Sequence, residues 1–410
     1  MTKKALIITN TASMVHLFNS VNIGALQDEG YEVHIACNFI KGNTASKEAI
    51  EDYKKEWESK NIISHHIDFL RSPFSFKSFK IYKKTKELIK SADFDIIHCH
   101  TPIVSAFTRI AAKSLKVRAK IIYTAHGFHF YKGCPLFNWL TYYPIEKFLA
   151  PKTDLLITMN NEDYVRAQKH LKAPKVEFID GVGINADAIY ATPNDRDGIR
   201  EMLGIPKDHL IMISVGEVNL NKNHRVALEA LSKSKAKNIH YVIAGVGKYI
   251  DEHLEFARLF DFEDRVHFVG FRKDVYKILK ASDMFVFPSF REGLSVALTE
   301  AMACGLPVVA SRIRGNIDLI DENLGGLLFN PEDAETLKMH IETLAENSEL
   351  RQQMGLYNYE KAKKYDKNII ISNLMTMILD QVKQNDSGIL EREIKLENKI
   401  KETAGIKGDA

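Results

Sequence analysis

The chain has 410 residues, 45% hydrophobic and 27% charged, with a formal net charge of +3. A single core rarely exceeds about 200 residues, so two domains are expected, and so small a net charge gives no field directed at nucleic acid. No Pro/Gly excess or low-complexity tract points to a fibrous or disordered chain. The four cysteines, Cys37, Cys99, Cys134 and Cys304, form no CxxC pair. That argues against a zinc cluster or a disulfide scaffold and fits a reducing cytoplasm. Lys3 and Lys4 precede an apolar run that stops at Thr9-Asn10, too short for a secretory signal. No stretch reaches the roughly 18 apolar residues of a membrane span; Ile369–Leu379 comes nearest and is interrupted by Ser372, Asn373 and Thr376. A soluble or peripheral cytoplasmic protein is expected.

In chain order, short apolar runs alternate with longer segments of helical spacing. The runs are Ala5–Ile8, Val33–Ala36, Ile62–Ile67, Asp95–Ile97, Ile121–Thr124 and Leu155–Thr158. Strands this short and apolar on both faces suit a buried parallel sheet between helices. Gly, Asn, Asp and Pro cluster between Asp180 and Asp208, a polar linker. The alternation then restarts with Leu210–Val215, Ile239–Ala244, Val266–Val269, Met284–Phe287 and Val308–Ala310. This is the pattern of α/β doubly wound folds. It predicts two Rossmann-like domains, residues 1–183 and 184–355, whose strands' carboxyl ends face a central cleft. A helix over 356–382, packing back toward the first domain, and a charged tail over 383–410 complete the expected layout.

The densest chemical signal is the run from Phe285 to Ala310, Phe-Val-Phe-Pro-Ser-Phe-Arg-Glu-Gly-Leu-Ser-Val-Ala-Leu-Thr-Glu-Ala-Met-Ala-Cys-Gly-Leu-Pro-Val-Val-Ala. It reads as a strand, a Pro-Ser loop, a helix beginning at Glu292-Gly293, a glycine stop and another strand. The free amides and positive dipole end of such a helix hold a diphosphate, and Gly293 admits a close approach. Glu300, two turns along, is placed to accept hydrogen bonds from sugar hydroxyls.

This segment resembles the family-four retaining glycosyltransferases of GT-B fold, marked by Glu-x7-Glu. Glu292 and Glu300 match that spacing inside Pro-Ser-x-x-Glu-Gly and Ala-x-Ala-Cys-Gly-x-Pro-Val. Val182-Gly183-Ile184-Asn185 resembles the family's domain-linking segment, Ser214–His224 its donor-phosphate loop, and Gly325–Phe329 its closing strand. The resemblance implies that Glu300 binds the nucleotide ribose and Glu292 the donor sugar. The amides of Gly293, Leu294 and Ser295 would hold the diphosphate, and Lys222, which could otherwise be a solvated lysine, would neutralise its charge. Where the family commonly has an arginine after Gly216, this chain has Glu217. Either Lys222 acts alone on the phosphates, or Arg225 or Arg291 assists; similar exopolysaccharide enzymes share the Gly-Glu and Lys-Asn pattern.

In the first half, Tyr123-Thr-Ala-His-Gly-Phe-His-Phe-Tyr-Lys-Gly133 follows an apolar strand and so lies at its carboxyl end. The family places a histidine there against the donor sugar, and His126 matches it. His129 is a candidate for shaping an acceptor pocket. His98 and His100 share one face of the preceding strand end; a zinc pair is conceivable, but no third ligand is evident, and a hydrogen-bonded strand end explains them better. Asn10 and Thr11, in the first loop, are acceptor-binding candidates in place of the family's glycine pair.

Residues 69–90 hold seven basic residues against Glu87 alone, with Phe69, Phe74, Phe76, Phe79 and Tyr82 between them. They suit either an anionic membrane surface or a helix whose aromatics enter the core while lysines face water. Pro135–Ala150, with Trp139, Tyr142 and Tyr143, is a second aromatic candidate for gripping a lipid-linked acceptor, and core packing explains it too.

Together these readings predict a retaining UDP-sugar-dependent hexosyltransferase acting on a lipid-diphosphate-linked glycan in capsule or exopolysaccharide synthesis. No cofactor and no metal are expected, because lysine and helix amides neutralise the leaving charge. Rival readings are a GT-B sugar-nucleotide 2-epimerase, a glycosidase, for which paired carboxylates must flank a sugar cleft, and a non-catalytic GT-B partner subunit.

Overall fold

The computed structural model describes residues 2–70 and 77–383, and within them the chain divides into two compact units. The first comprises the described residues up to Thr158, Asp163–Ile179 and those from Ile371 onward; the second comprises Met159–Glu162 and Asp180–Ile370.

The first unit carries seven strands: β1 (Lys4–Thr11), β2 (Glu32–Asn38), β3 (Ile63–His66), β4 (Ile96–His100), β5 (Lys120–Ala125), β6 (Leu155–Thr158) and β7 (Val176–Phe178). They pair in parallel in the order β3-β2-β1-β4-β5-β6-β7. Helices cover both faces, so the central strands have no solvent side: Ala5, Leu6, Ile7 and Ile8 are fully buried. Thr11 ends β1 and caps the next helix, Ala12–Asp28, its hydroxyl accepting from the Met14 amide at 3.4 Å. The helices Pro102–Leu115 and Leu136–Leu149 are joined under the surface by an ion pair. Nη2 of fully buried Arg109 reaches both Glu146 carboxylate oxygens at 3.0 Å, and its guanidinium lies 4.5 Å from the centre of the Tyr123 ring.

The second unit carries β8 (Leu210–Val215), β9 (Ile239–Ala244), β10 (Val266–Phe268), β11 (Met284–Phe287), β12 (Val308–Ser311) and β13 (Gly326–Phe329), also parallel, in the order β10-β9-β8-β11-β12-β13. The strand order reverses between β1 and β4 in one sheet and between β8 and β11 in the other. Beyond the carboxyl ends of such neighbours the connections leave to opposite faces, and a crevice opens.

Two expectations change. The Gly/Asn/Asp/Pro stretch after Asp180 is more than a linker: it contains the helices Ala186–Tyr190 and Arg196–Leu203, capped by Asn185 and Asp195. Their Ile189 and Ile199 enter the second unit's core, and the polar residues that suggested a linker are the caps. In 69–90, Phe69 is buried ahead of the helix Lys77–Ser91, and on that helix it is the aliphatic Ile81, Leu88 and Ile89, not the aromatics, that enter the core. Phe79 is exposed, while Phe74 and Phe76 lie outside the described residues. No helix among the described residues is long and apolar enough to cross a membrane.

Candidate functional site

The second unit's crevice is built by two loops stitched together. After β8, Gly216 adopts φ 150° and the chain turns through a short 3-10 segment, Leu220–Lys222, capped by the Asn219 side chain at 3.0 Å from the Lys222 amide. Asn221 Nδ2 donates to the Arg291 carbonyl (3.0 Å), and the Phe290 amide donates to the Asn221 carbonyl (2.8 Å). Asn223, left-handed at φ 52°, donates to the carbonyls of Pro288 (3.1 Å) and Pro331 (2.8 Å). These ties fix Lys222 beside the loop that follows β11. Its Nζ lies 2.8 Å from Glu292 Oε1 and 4.6 Å from the centre of the Phe287 ring. A Cβ at Gly216 would sit 3.2 Å from Lys222 Cε, so glycine leaves room for the lysine stem.

Glu292 and Gly293 precede the helix rather than begin it. The helix is Val296–Ala303, capped by Ser295, whose hydroxyl accepts from the Leu298 amide at 3.4 Å. The sequence pattern placed the start at Glu292-Gly293, whereas Ser295, three residues before Leu298, takes the N-terminal amide. Among the described residues, the amides of Gly293, Leu294, Val296 and Ala297 have no protein acceptor. They form a row of donors at a helix N-terminus, a site suited to an anion. The loop is held tightly from behind: a Cβ at Gly315 would lie 2.0 Å from the Gly293 carbonyl oxygen.

Glu300 sits on the second turn of that helix and accepts a 2.6 Å hydrogen bond from the Tyr276 hydroxyl. Burial raises its carboxyl pKa, against which the tyrosine works. Tyr276 had no signal in the sequence, since it belongs to a separate helix, Val275–Ala281. The supporting asparagines 219, 221 and 223 were legible only as polar loop residues. Leu294 packs on the 181–183 segment, 2.8 Å from where a Gly181 Cβ would stand. Arg225 is engaged elsewhere: it pairs with Glu229 at 2.9 Å, and its guanidinium lies 3.7 Å from the centre of the Phe256 ring. Glu217 is exposed and forms no ion pair among the described residues, so the charge reversal it represents sits in solvent.

The first unit's candidates gather at the carboxyl ends of β1, β4 and β5. His126 directly follows β5, and Gly127 beside it has φ 132°. Its Nε2 lies 3.0 Å from His100 Nδ1, and His98 Nε2 lies 2.8 Å from Thr124 Oγ1. Burial pushes the imidazole pKa of His126 down to about 4 and that of His98 to about 3, and holds His100 well below the usual range. All three are neutral at pH 7. His100 Nε2 is buried with no partner among the described residues. A bare lone pair is tolerated there better than an orphaned N–H, so the proton sits on His100 Nδ1 and is donated to His126 Nε2. His126 then carries its own proton on Nδ1. The bond between His100 and His126 is what the sequence reading of a strand-end pair missed. No group of three or more His, Cys, Asp or Glu side chains among the described residues is arranged to hold a metal. Thr101, next to His100, holds φ 64°, a strained setting for a β-branched residue. Asn10 and Thr11 do not form a first loop but end β1; Thr11 is used as a cap, while buried Asn10 Oδ1 has no hydrogen-bond partner among the described residues. His129 stacks on Tyr142 with ring centres 4.5 Å apart.

The paired parallel sheets and the donor row beside Lys222 and Glu292 belong to a recognised class. The family profile "Glycosyl transferases group 1" matches residues 195–361, and "Glycosyl transferase 4-like" matches residues 5–160. The chain is 34% identical over 361 residues to EpsD of Bacillus subtilis (strain 168), a glycosyltransferase by name, covering 87% of this chain and 91% of that one. It therefore belongs to the group 1 glycosyltransferases. It is also similar to the Escherichia coli UDP-Gal:alpha-D-GlcNAc-diphosphoundecaprenol alpha-1,3-galactosyltransferase, 30% identical over 267 residues, 63% of this chain and 68% of that protein. Among solved structures, Anabaena Alr3699/HepE in complex with UDP and glucose aligns with a TM-score of 0.74 at 18% identity, covering 92% of this chain and 99% of the other. The fold is GT-B.

Proposed function

We propose that this glycosyltransferase moves a hexose or N-acetylhexosamine from a UDP-sugar, with retention, onto a lipid-diphosphate-linked glycan in capsule or exopolysaccharide synthesis. The observation that carries this reading is the 2.8 Å Lys222–Glu292 pair set beside the unpaired amides of Gly293 and Leu294. A diphosphate needs concentrated positive charge and donors, and a sugar needs a carboxylate acceptor; this crevice supplies both within one loop pair.

In the proposed step the acceptor hydroxyl oxygen bonds to the anomeric carbon on the face from which UDP departs. The carbon–oxygen bond to the diphosphate breaks, and the hydroxyl proton passes to the departing phosphate oxygen. Lys222 and the amides at 293–297 stabilise the charge growing on that oxygen. Glu292 orients the sugar, Glu300 takes the ribose hydroxyls, and Gly216 keeps the Lys222 stem clear. His126 supplies a neutral imidazole hydrogen bond to the sugar, the role the sequence resemblance gives it. Because protein groups neutralise the leaving charge, the reaction requires no divalent ion. The acceptor class is supported by the E. coli relative, whose name specifies a diphosphoundecaprenol substrate. Asn10 and His129 are the proposed acceptor contacts, and the protein would work at the inner membrane face.

The test is UDP release from a panel of UDP-sugars, with and without a lipid-diphosphate-sugar acceptor, for the wild type and Glu292→Ala. Acceptor-dependent release from one donor, lost in the variant, supports the reading. Nucleotide binding without release from any UDP-sugar moves the assignment to a GDP-sugar enzyme or to a non-catalytic partner subunit.

A further inference from the structure

The helix Leu136–Leu149 in the first unit carries apolar side chains on its outer side as well as its inner one, with exposed Lys147 among the outer residues. Its inner side packs Trp139, Tyr142, Tyr143 and Leu149 against the body and pairs Glu146 with Arg109. Its outer side leaves Leu136 (70%), Phe137 (62%), Leu140 (68%) and Phe148 (63%) exposed. At 100° per residue these four fall within one side of the helix, a stripe about 20 Å long. A helix with large apolar residues on both its inner and its outer side ordinarily covers both, in a core or against lipid, and Lys147 within the stripe adds a positive charge to it.

The stripe runs into a basic hollow. Lys152 Nζ lies 3.5 Å from the centre of the Phe148 ring, and the same lysine lines a cavity of about 500 Å³ with Lys113, Lys116, Arg118 and Lys120. Lys113, Lys116 and Lys120 make no ion pair among the described residues. The cavity's single acid, Asp154, has one carboxylate oxygen accepting the Ile121 amide at 2.8 Å. The hollow opens at the starts of β5 and β6, and the stripe climbs from there to the loop that carries His126 and His129.

We propose that this stripe and this hollow form one docking surface for an anionic lipid bilayer. The apolar side chains enter the headgroup boundary, and the lysines meet lipid phosphates. A second copy of the chain fits less well, because an isologous contact across the stripe would bring two sets of unpaired lysines together. The surface differs from the 69–90 candidate, where the described residues Phe69, Ile81, Leu88 and Ile89 are committed to the core. Its purpose rests on the lipid-linked acceptor reading, since it would hold the His126 loop beside membrane-borne glycan.

The experiment is co-sedimentation of the full chain with phosphatidylcholine vesicles, alone and mixed with phosphatidylglycerol. Variants are Phe137→Ser/Leu140→Ser/Phe148→Ser, Lys113→Glu/Lys116→Glu and, for comparison, Phe79→Ser. The wild type should bind the anionic vesicles and scarcely bind the neutral ones. The charge variant should lose about thirtyfold in affinity at low salt, the apolar variant at least about tenfold, and Phe79→Ser less than about twofold. Transfer to a short-chain, water-soluble diphosphate-sugar acceptor should persist in all three, showing that they fold. Wild-type vesicle binding without any such transfer would sink the transferase reading and leave the docking surface standing. Equal binding to neutral and anionic vesicles, or undiminished binding by the apolar variant, overturns the proposal. So does an apolar variant whose only effect is to turn a dimer into a monomer by light scattering.

Discussion

The two crevices of the molecule use opposite electrostatics. In the second unit, between β8 and β11, charge is concentrated: Lys222, Glu292 and a row of open amides share one loop pair, with Glu300 on the helix that follows. In the first unit, between β1 and β4, the comparable edge holds His98, His100 and His126, all pushed to neutrality by burial. A site for a diphosphate has to offer fixed positive charge, whereas a site touching only hydroxyls needs directional donors and no net charge. A strand order shared over six strands therefore does not set site chemistry; the residues at the loop tips do.

The comparison breaks first at Lys222. Lys222→Ala should lower kcat by about 10²–10³-fold, the usual loss when one group stabilising developing negative charge is removed, while Arg225→Ala, whose partner is Glu229, should leave UDP release nearly unchanged. Steady-state rates on the responsive donor decide this, and equal losses in the two variants would mean that the phosphate site has been misplaced.

Acid should damage the first unit's arrangement. His98 and His126 have folded pKa values near 3 and 4, below their unfolded value near 6.5. The unfolded chain thus binds protons that the folded chain refuses as pH falls through 6.5. Stability is full above that value and falls on acidification by about 1.4 kcal/mol per pH unit for each such histidine, until its folded pKa is reached. His224, buried in the second unit with a pKa near 3, adds to the slope. Thermal melts between pH 7 and 4.5 should show the decline, and His98→Phe should flatten it.

His100→Phe should reduce transfer about tenfold while leaving the donor KM within about twofold. Nitrogen-15 spectra of labelled histidine should meanwhile show His126 losing its single Nδ1–H tautomer. Unchanged spectra with reduced activity would mean that His100 matters only for packing. Tyr276→Phe acts at the other crevice and should raise the UDP-sugar KM about fivefold by removing the hydrogen bond to Glu300. The smallest expected effect is that of EDTA, below about twofold, since charge neutralisation is assigned to Lys222 and the helix amides; complete inhibition reversed by a divalent ion would overturn that assignment.

Much of the fold was legible because parallel strands buried on both faces read as continuous apolar runs, as at Ala5–Ile8 and Met284–Phe287. The candidate site was legible where one segment carries it, as at Glu292 and Glu300. It was hidden where partners come from distant elements: Tyr276 reaches Glu300, and His126 meets His100 across two strands. The linker after Asp180 misled because Asn185 and Asp195 are helix caps as readily as loop residues. The segment 69–90 was ambiguous because aromatic-basic alternation looks the same whether its aromatics face lipid or core.

The buried Arg109–Glu146 pair has a bearing on how such chains diverge. Loss of either partner alone strands a charge in the interior, at a cost of about 3–5 kcal/mol, a large part of the margin of an ordinary domain. The two positions should thus be inherited together, replaced jointly or not at all, among descendants of a common ancestor. Leu136, Phe137, Leu140 and Phe148, on the far side of the same helix, carry no such constraint from the interior. That helix can keep its anchorage through a lineage while its outer face drifts.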